Sequence, residues 1–195
     1  MRYNNLPYRK SIRMKMHDYM SGKYFVTINT CKKVSTFGVI KNEEMILSEW
    51  GEIVREEWSR TAELRSNVKL DAFQIMPNHF HGIIEIDFVW PLLYLHEEIA
   101  EGIRTDTMHR VRTKDQSSFN PANLNCRKFG KPISNSLPTI IGRFKAACTR
   151  RISILENYQC VRVWHRGYYE RLIKNNNELE AIRRYIINNP NRWEK

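Results

Sequence analysis

His79-Phe80-His81 stands inside the run Leu70 to Ile86, LDAFQIMPNHFHGIIEI. On an extended segment, residues two apart project to the same face, so these two imidazoles can close on one divalent metal ion. Apolar residues flank the pair on both sides, which predicts a place at sheet depth. Two ligands do not complete a site, because three or four are usual. The last predicted helix offers Tyr185 and Asn189 at i,i+4, one turn apart on one face. A carboxamide oxygen is a hard ligand suited to Mg2+ or Mn2+. A tyrosine one turn away would hang its hydroxyl near a metal-bound phosphate. Free phenol, with a pKa near ~10, is a poor nucleophile unaided, and a metal that polarises the phosphate supplies the missing help. The spacing thus points to phosphate chemistry. Asn188 and Glu178 are rival third ligands. Asn189 also fits a helix C-cap ahead of Pro190, and Tyr185 also fits a core position on its helix.

The elements that must hold these residues can be read from periodicity. Lys23 to Thr30 (KYFVTINT) reads as a strand, and Thr36 to Ile40 as a short second one. Glu43 to Thr61 carries apolar residues at helical spacing, with Ser48 as the cap. Val68 to Met76 and His79 to Asp87 predict an antiparallel hairpin turning at Pro77-Asn78. From Phe88 to Asn135 prolines, glycine and polar residues break the pattern; this predicts an insertion at about 88–135 in a single domain spanning 1–195, with a local helix around Leu92 to Met108. Leu137 to Leu155 predicts an amphipathic helix, Val161 to Trp164 a strand, and Asn177 to Asn189 a final helix stopped by Pro190. Helices among antiparallel strands predict an α+β fold, a two-layer sandwich of sheet and helices.

Composition narrows the function classes. The 195 residues carry a net charge of +11 and are 42% hydrophobic, enough for a core. Nucleic acid is the commonest partner for such a basic chain. No apolar stretch approaches a membrane span, and the basic start lacks the apolar core of a secretion signal, so a cytoplasmic location is expected. No GxGxxG or GxxxxGK[ST] occurs, so no nucleotide cofactor is expected. Cys31, Cys126, Cys148 and Cys160 form no CxxC pair, against a zinc ribbon. Residues 136–195 hold twelve Lys or Arg against five Glu and no Asp. Arg143, Lys145, Arg150 and Arg151 form one face of a predicted helix, read as phosphate contacts with a solvated face as the alternative. Tyr168 and Tyr169, between Arg166 and Arg171, suit base stacking and phosphate contact, with a packed turn as the alternative. Arg9, Lys10, Arg13 and Lys15 form a candidate DNA-contacting arm, with a disordered terminus as the equal alternative. Glu85 and Asp87 share the face of His81 and could assist a metal or sit in water.

MPNHFHG resembles the HUH motif (U, hydrophobic) of single-tyrosine transposases, and YIINNP at Tyr185 to Pro190 resembles the YIxxNP element that closes the REP-associated tyrosine transposase group. GRFKAACTRRI, VWHRGYYERLI and the opening YFVTINT are similar to further blocks of that group. The resemblance spans nearly all the chain except 88–135. It implies a ferredoxin-like HUH endonuclease fold with His79 and His81 as metal ligands, Tyr185 as nucleophile and Asn189 as third ligand. It implies Mg2+ or Mn2+ as cofactor and single-stranded or hairpin DNA as partner. The implied reaction cuts the strand to a 5′-phosphotyrosine link with a free 3′-hydroxyl and then rejoins it. Relatives often work as homodimers, which leaves a homodimer open here. Two alternatives remain: a non-catalytic or domesticated DNA-binding protein, and a rolling-circle replication initiator.

Overall fold

β1 (Gly22–Asn29) alternates as a strand with two different faces must: Tyr24, Val26 and Ile28 are fully buried while the residues between them are half-buried. A computed structural model describes residues 17, 19–87, 133 and 135–193. The chain divides into one unit of Met1–Phe88 with Ser134–Lys195 and a second of Val89–Ile133. All the described residues except Ile133 belong to the first. The expected insertion falls, but for Ile133 and Asn135, outside the described residues, as do the expected helix at Leu92–Met108 and the arm at Arg9–Lys15.

After β1 come β2 (Gly38–Lys41), β3 (Glu44–Leu47), α1 (Glu49–Glu63), β4 (Val68–Met76), β5 (His79–Ile86), α2 (Leu137–Leu155), β6 (Tyr169–Ile173) and α3 (Asn176–Ile187). The main sheet runs β4-β5-β1-β6 and is antiparallel throughout. The predicted hairpin is β4-β5, turning at Pro77-Asn78. The α+β fold of antiparallel sheet and helices is the one the sequence predicts.

One sheet face packs on α1 and α2. Phe80, Ile84 and Ile86 of β5 join Tyr24, Val26 and Ile28 of β1 against Val54 and Trp58 of α1 and Ile140, Phe144 and Cys148 of α2. The Trp58 ring lies 4.7 Å from Phe80 and 5.2 Å from Phe144. Ser48 caps α1 as predicted, its Oγ accepting from the Gly51 N–H at 3.2 Å. The last helix, α3, covers part of the other face, an addition to the two-layer body. There Ile83 and Ile173 meet Leu179, Ile182 and Ile186, with Phe25 and Ala72 packed against them. Among the described residues no helix is long and apolar enough to cross a membrane.

Three elements differ from the sequence reading. Ile46 and Leu47, placed there on the helical stripe, belong to β3, which pairs with β2. A four-residue apolar run cannot be assigned by periodicity, and the hairpin turn has positive φ at Asn42 and Glu43, the backbone that twisted two-residue turns demand. β6 was not foreseen. In place of a strand at Val161–Trp164 there is a single bridge from Trp164 to Thr30.

Gly82, between the second histidine and Ile83, has no room for a side chain. A Cβ there would meet Trp58 at 2.8 Å and the Phe80 ring at 2.9 Å. Gly82→Ala is therefore expected to cost about 1–3 kcal/mol through overpacking, read as a lower urea midpoint with an unchanged slope; a midpoint equal to wild type would contradict this packing.

Candidate metal and tyrosine site

β5 runs between β1 and β4, so neither histidine stands on a sheet edge. Phe80 turns into the α1/α2 core, which sends His79 and His81 to the α3 face. Their ring centroids lie 4.6 Å apart. His81 is 4% exposed and stacks on Phe25 at 5.3 Å. Its Nδ1 shares a 2.8 Å hydrogen bond with Thr27 Oγ1 from the neighbouring strand. His79 Nδ1 donates to Asn78 Oδ1 at 2.7 Å in the neutral-ring tautomer that leaves Nε2 as acceptor. Both rings are thus held through Nδ1, and in the tautomers that carry the proton there both Nε2 atoms are left for a ligand, the arrangement metal-binding histidines use.

Electrostatics agree. Burial pushes His79 down to about 4, with the Lys33 charge adding to it. Burial, then the neighbouring His79, pushes His81 down to about 3. At neutral pH both imidazoles are uncharged, as metal ligation requires.

α3 brings Tyr185 to the same place. Its ring lies 5.4 Å from His81 and edge-on to Phe25 at 6.0 Å, yet the residue is 42% exposed. The core alternative is thereby answered: Ile182 and Ile186 fill the second core while Tyr185 stays open to solvent on one side. Two features fix the helix. Asn175 caps it, its Oδ1 accepting from the Glu178 N–H at 2.9 Å, while Glu178 accepts from the Lys174 N–H at 3.0 Å. Arg183 Nε then donates to Asp71 Oδ1 of β4 at 2.9 Å, and its NH2 reaches Oδ2 at 2.5 Å, a bidentate pair. The Arg183 guanidinium holds the Asp71 carboxyl below its ordinary range.

Asn189 keeps helical backbone one residue beyond the cap and opens the turn Pro190–Arg192. It stands between Tyr185, beside His81, and Trp193, whose ring is 5.9 Å from His79. Its Nδ2 is buried and has no hydrogen-bond partner, an unmet demand that native structures rarely leave. Among the described residues no group of three His, Cys, Asp or Glu could hold a metal. The donors shown side by side are two imidazole nitrogens, and Asn189, one turn beyond Tyr185, is the candidate to add a carboxamide oxygen. Such a neutral N/N/O set would fit a divalent ion that keeps open positions for water or phosphate oxygens.

The rivals fall away for physical reasons. Glu178 is engaged at the start of α3, where it also pairs with Arg171 at 2.6 Å. Asn188 is the exposed C-cap. Glu85 pairs with Lys23 at 3.3 Å and Asp87 with Lys69 at 2.8 Å, both toward the far end of the strand.

The candidate DNA contacts divide by face. Tyr169 is 58% exposed and lies across Thr27 from His81, on the histidine face. Arg171 lies across from Phe25 on that face. Tyr168 is a correction: at 5% exposure it packs in the α1/α2 core, so its ring is not open to stacking on a base. Arg143, Lys145, Arg150 and Arg151 ride on α2, which covers the opposite face. Arg151 is bonded to Glu57 at 3.0 Å and Glu56 at 2.5 Å, and Lys145 donates to the His165 and Gly167 carbonyls at 2.7 and 3.2 Å. Neither is poised as a phosphate contact. Arg166 is exposed. Sequence reasoning missed Phe25, Thr27, Asp71, Arg183 and Trp193. Phe25 and Thr27 carry only the period-two signal of β1, and strand register alone reveals their neighbours.

Two expectations follow. The unfolded chain takes up protons on these histidines at the ordinary 6.5, whereas the folded pair resists to about 4 and about 3. The unfolded state then binds more protons below that ordinary value, so stability falls as pH drops. Metal-free protein should lose stability from pH 6.5 toward about 5, and His79→Gln/His81→Gln should flatten that limb; equal slopes in chemical unfolding would contradict the buried neutral pair. Arg183→Ala should speed amide exchange in 179–187 several-fold relative to α2; unchanged exchange would show that Asp71 does not hold the helix.

No protein-family model matches the chain. It is 34% identical over 196 residues to an uncharacterized protein of Haemophilus influenzae, covering all of this chain and 95% of that one. A solved REP-associated tyrosine transposase bound to a REP hairpin superimposes with a TM-score of 0.54 and 12% identity, over 93% of this chain and 74% of that one. A Deinococcus radiodurans R1 structure described as a transposase gives a TM-score of 0.40 and 14% identity, over 90% of this chain and 95% of that one, a likeness too weak to argue from. The chain belongs to one family with the Haemophilus influenzae protein and has the fold of the REP-associated tyrosine transposase.

Proposed function

We propose that the chain is a metal-dependent HUH transposase that cuts and rejoins single-stranded DNA through a 5′-phosphotyrosine link. One observation carries the reading: a half-exposed Tyr185 ring stands 5.4 Å from a buried histidine whose partner is 4.6 Å away, on the face opposite the main core. A structural tyrosine has no need of two neutral histidines with unspent Nε2 atoms beside it. The REP-hairpin complex of the fold neighbour supports DNA, and hairpin DNA in particular, as the substrate.

In this reading His79, His81 and Asn189 hold a divalent ion. Bound there, the ion would polarise a backbone phosphate and offset the charge that develops on it. Tyr185 Oη forms the new bond to phosphorus. The P–O3′ bond breaks, and the 3′ oxygen leaves as a hydroxyl after taking a proton. The 5′ end stays on the tyrosine. A 3′-hydroxyl later attacks the same phosphorus, and Tyr185 leaves with its proton restored. One phosphodiester is lost and one regained, so no nucleotide need be hydrolysed. Phe25 packs between the metal-ligand ring and the nucleophile's ring, stacked on His81 and edge-on to Tyr185. Thr27 fixes the His81 ring.

The test is incubation with end-labelled single strands from the gene's own flanks and Mg2+ or Mn2+, resolved on denaturing gels. Wild type should give a covalent band that EDTA removes. Tyr185→Phe should lose the band and keep DNA binding; a band that persists in the variant would overturn the assignment. Binding without any band, with either metal, would favour the binding-only alternative. Thr27→Val should raise the metal concentration needed for half-maximal adduct by about 10–100-fold, the usual cost of losing a partner behind a ligand; an unchanged metal requirement would contradict that role.

A further inference from the structure

We infer that the protein carries a second nucleic-acid contact, on the side of the sheet opposite the histidines: a basic groove that holds single-stranded DNA beyond the cut. The inference rests on the transposase reading for its ligand, and on the groove's own chemistry for its place.

The groove is a broad, open depression between α2 and the segment 161–166, with a volume of about 600 Å³. Arg150, Arg162 and Arg166 line it, and no Asp or Glu does. Arg55, Arg60, Arg151, Arg171 and Arg183 each pair with a carboxylate. The three groove arginines have no carboxylate partner among the described residues. Arg65 and Arg143, which likewise have no carboxylate pair among the described residues, share their depression with Glu57. Three exposed guanidiniums on one concavity repel one another unless an anion enters, and a chain of phosphodiesters supplies anions at regular spacing.

The floor decides which form of nucleic acid fits. Ala146 and Val161 give it apolar surface, above the buried Val163 and Trp164. A duplex offers phosphates and sugars to a groove of this width and leaves an apolar floor bare. A single strand can turn a base onto the floor while its phosphates meet the rim. The walls are already rigid: the His165 N–H donates to the Asn29 carbonyl at 2.9 Å, Trp164 Nε1 to the Lys145 carbonyl at 3.1 Å, and Lys145 ties down His165 and Gly167. Position is apt as well. Trp164 bridges Thr30, and the preceding Asn29 lies opposite His79. Trp164 is therefore at the histidine end of the sheet, its backbone two inter-strand spacings or ~10 Å from β5.

The test uses the full chain and a labelled mixed-sequence single strand, with anisotropy read across a salt series. The groove variant is Arg150→Ala/Arg162→Ala/Arg166→Ala. A charge-matched control is Lys41→Ala/Arg55→Ala/Lys69→Ala. Each phosphate contact on a single strand contributes ~0.7 to the slope of log affinity against log salt. The groove variant should lose about 2 from that slope and on the order of 100-fold in affinity at about 0.1 M salt, with the control close to wild type. Equal losses in both variants would reduce the effect to net charge and overturn the groove. So would no loss in either, or a loss confined to duplex DNA. Circular dichroism matching wild type excludes misfolding. If wild type forms no covalent adduct but the groove variant still loses single strands, the transposase reading fails and the groove stands. If the adduct forms and the groove variant binds like wild type, the groove fails alone.

Discussion

The two-residue period of β5 is the constraint on which the rest depends. His79, His81 and Ile83 alternate with Phe80, Gly82 and Ile84, and neighbouring strands on both sides fix which set faces which layer. A slip of one residue would drive both imidazoles into the α1/α2 core and throw Phe80 under the last helix. Three features oppose it: fully buried Phe80 and Ile84 on one side, Ile83 locked into the second core on the other, and a glycine that leaves Trp58 no spare room. The low proton affinity of the histidines is a consequence. They are desolvated because the strand that carries them is an inner strand, and neutral because they are desolvated.

The large core makes the platform, and the small one seats the helix that carries Tyr185. Five buried residues and one bidentate ion pair hold α3 to the sheet. The helix needs no more than this to present Tyr185, and a helix held by few contacts can adjust its position. Tyr185 is anchored by its ring and open at its flank, a compromise between a core residue and a free nucleophile. In the proposed reaction the covalent link would conserve the energy of the broken phosphodiester.

Much of this was legible in the residues. The histidine strand, its hairpin with β4, the Ser48 cap and the helix Leu137–Leu155 all follow from spacing and turn chemistry. Short elements were not. β3 is too brief for its period to be distinguished from a helix onset. In β6, YERLI mixes charge and aromatics so that its strand alternation reads as a binding loop, and Tyr168, beside it, proves to be core. The neighbours of the histidines escaped for a different reason. Thr27 is 54 positions from His81 and Arg183 is 112 from Asp71, and nothing in either local sequence announces a partner that distant.

The most direct measurement is the identity of the residue that carries the DNA. Wild-type protein would be trapped with a single strand in Mn2+, digested with trypsin, and the nucleotide-bearing peptide sequenced by mass spectrometry. The account predicts a 5′-phosphoryl nucleotide on Tyr185, in the peptide Tyr185–Arg192. A nucleotide on any other residue, or cleavage that leaves none on the protein, would contradict it.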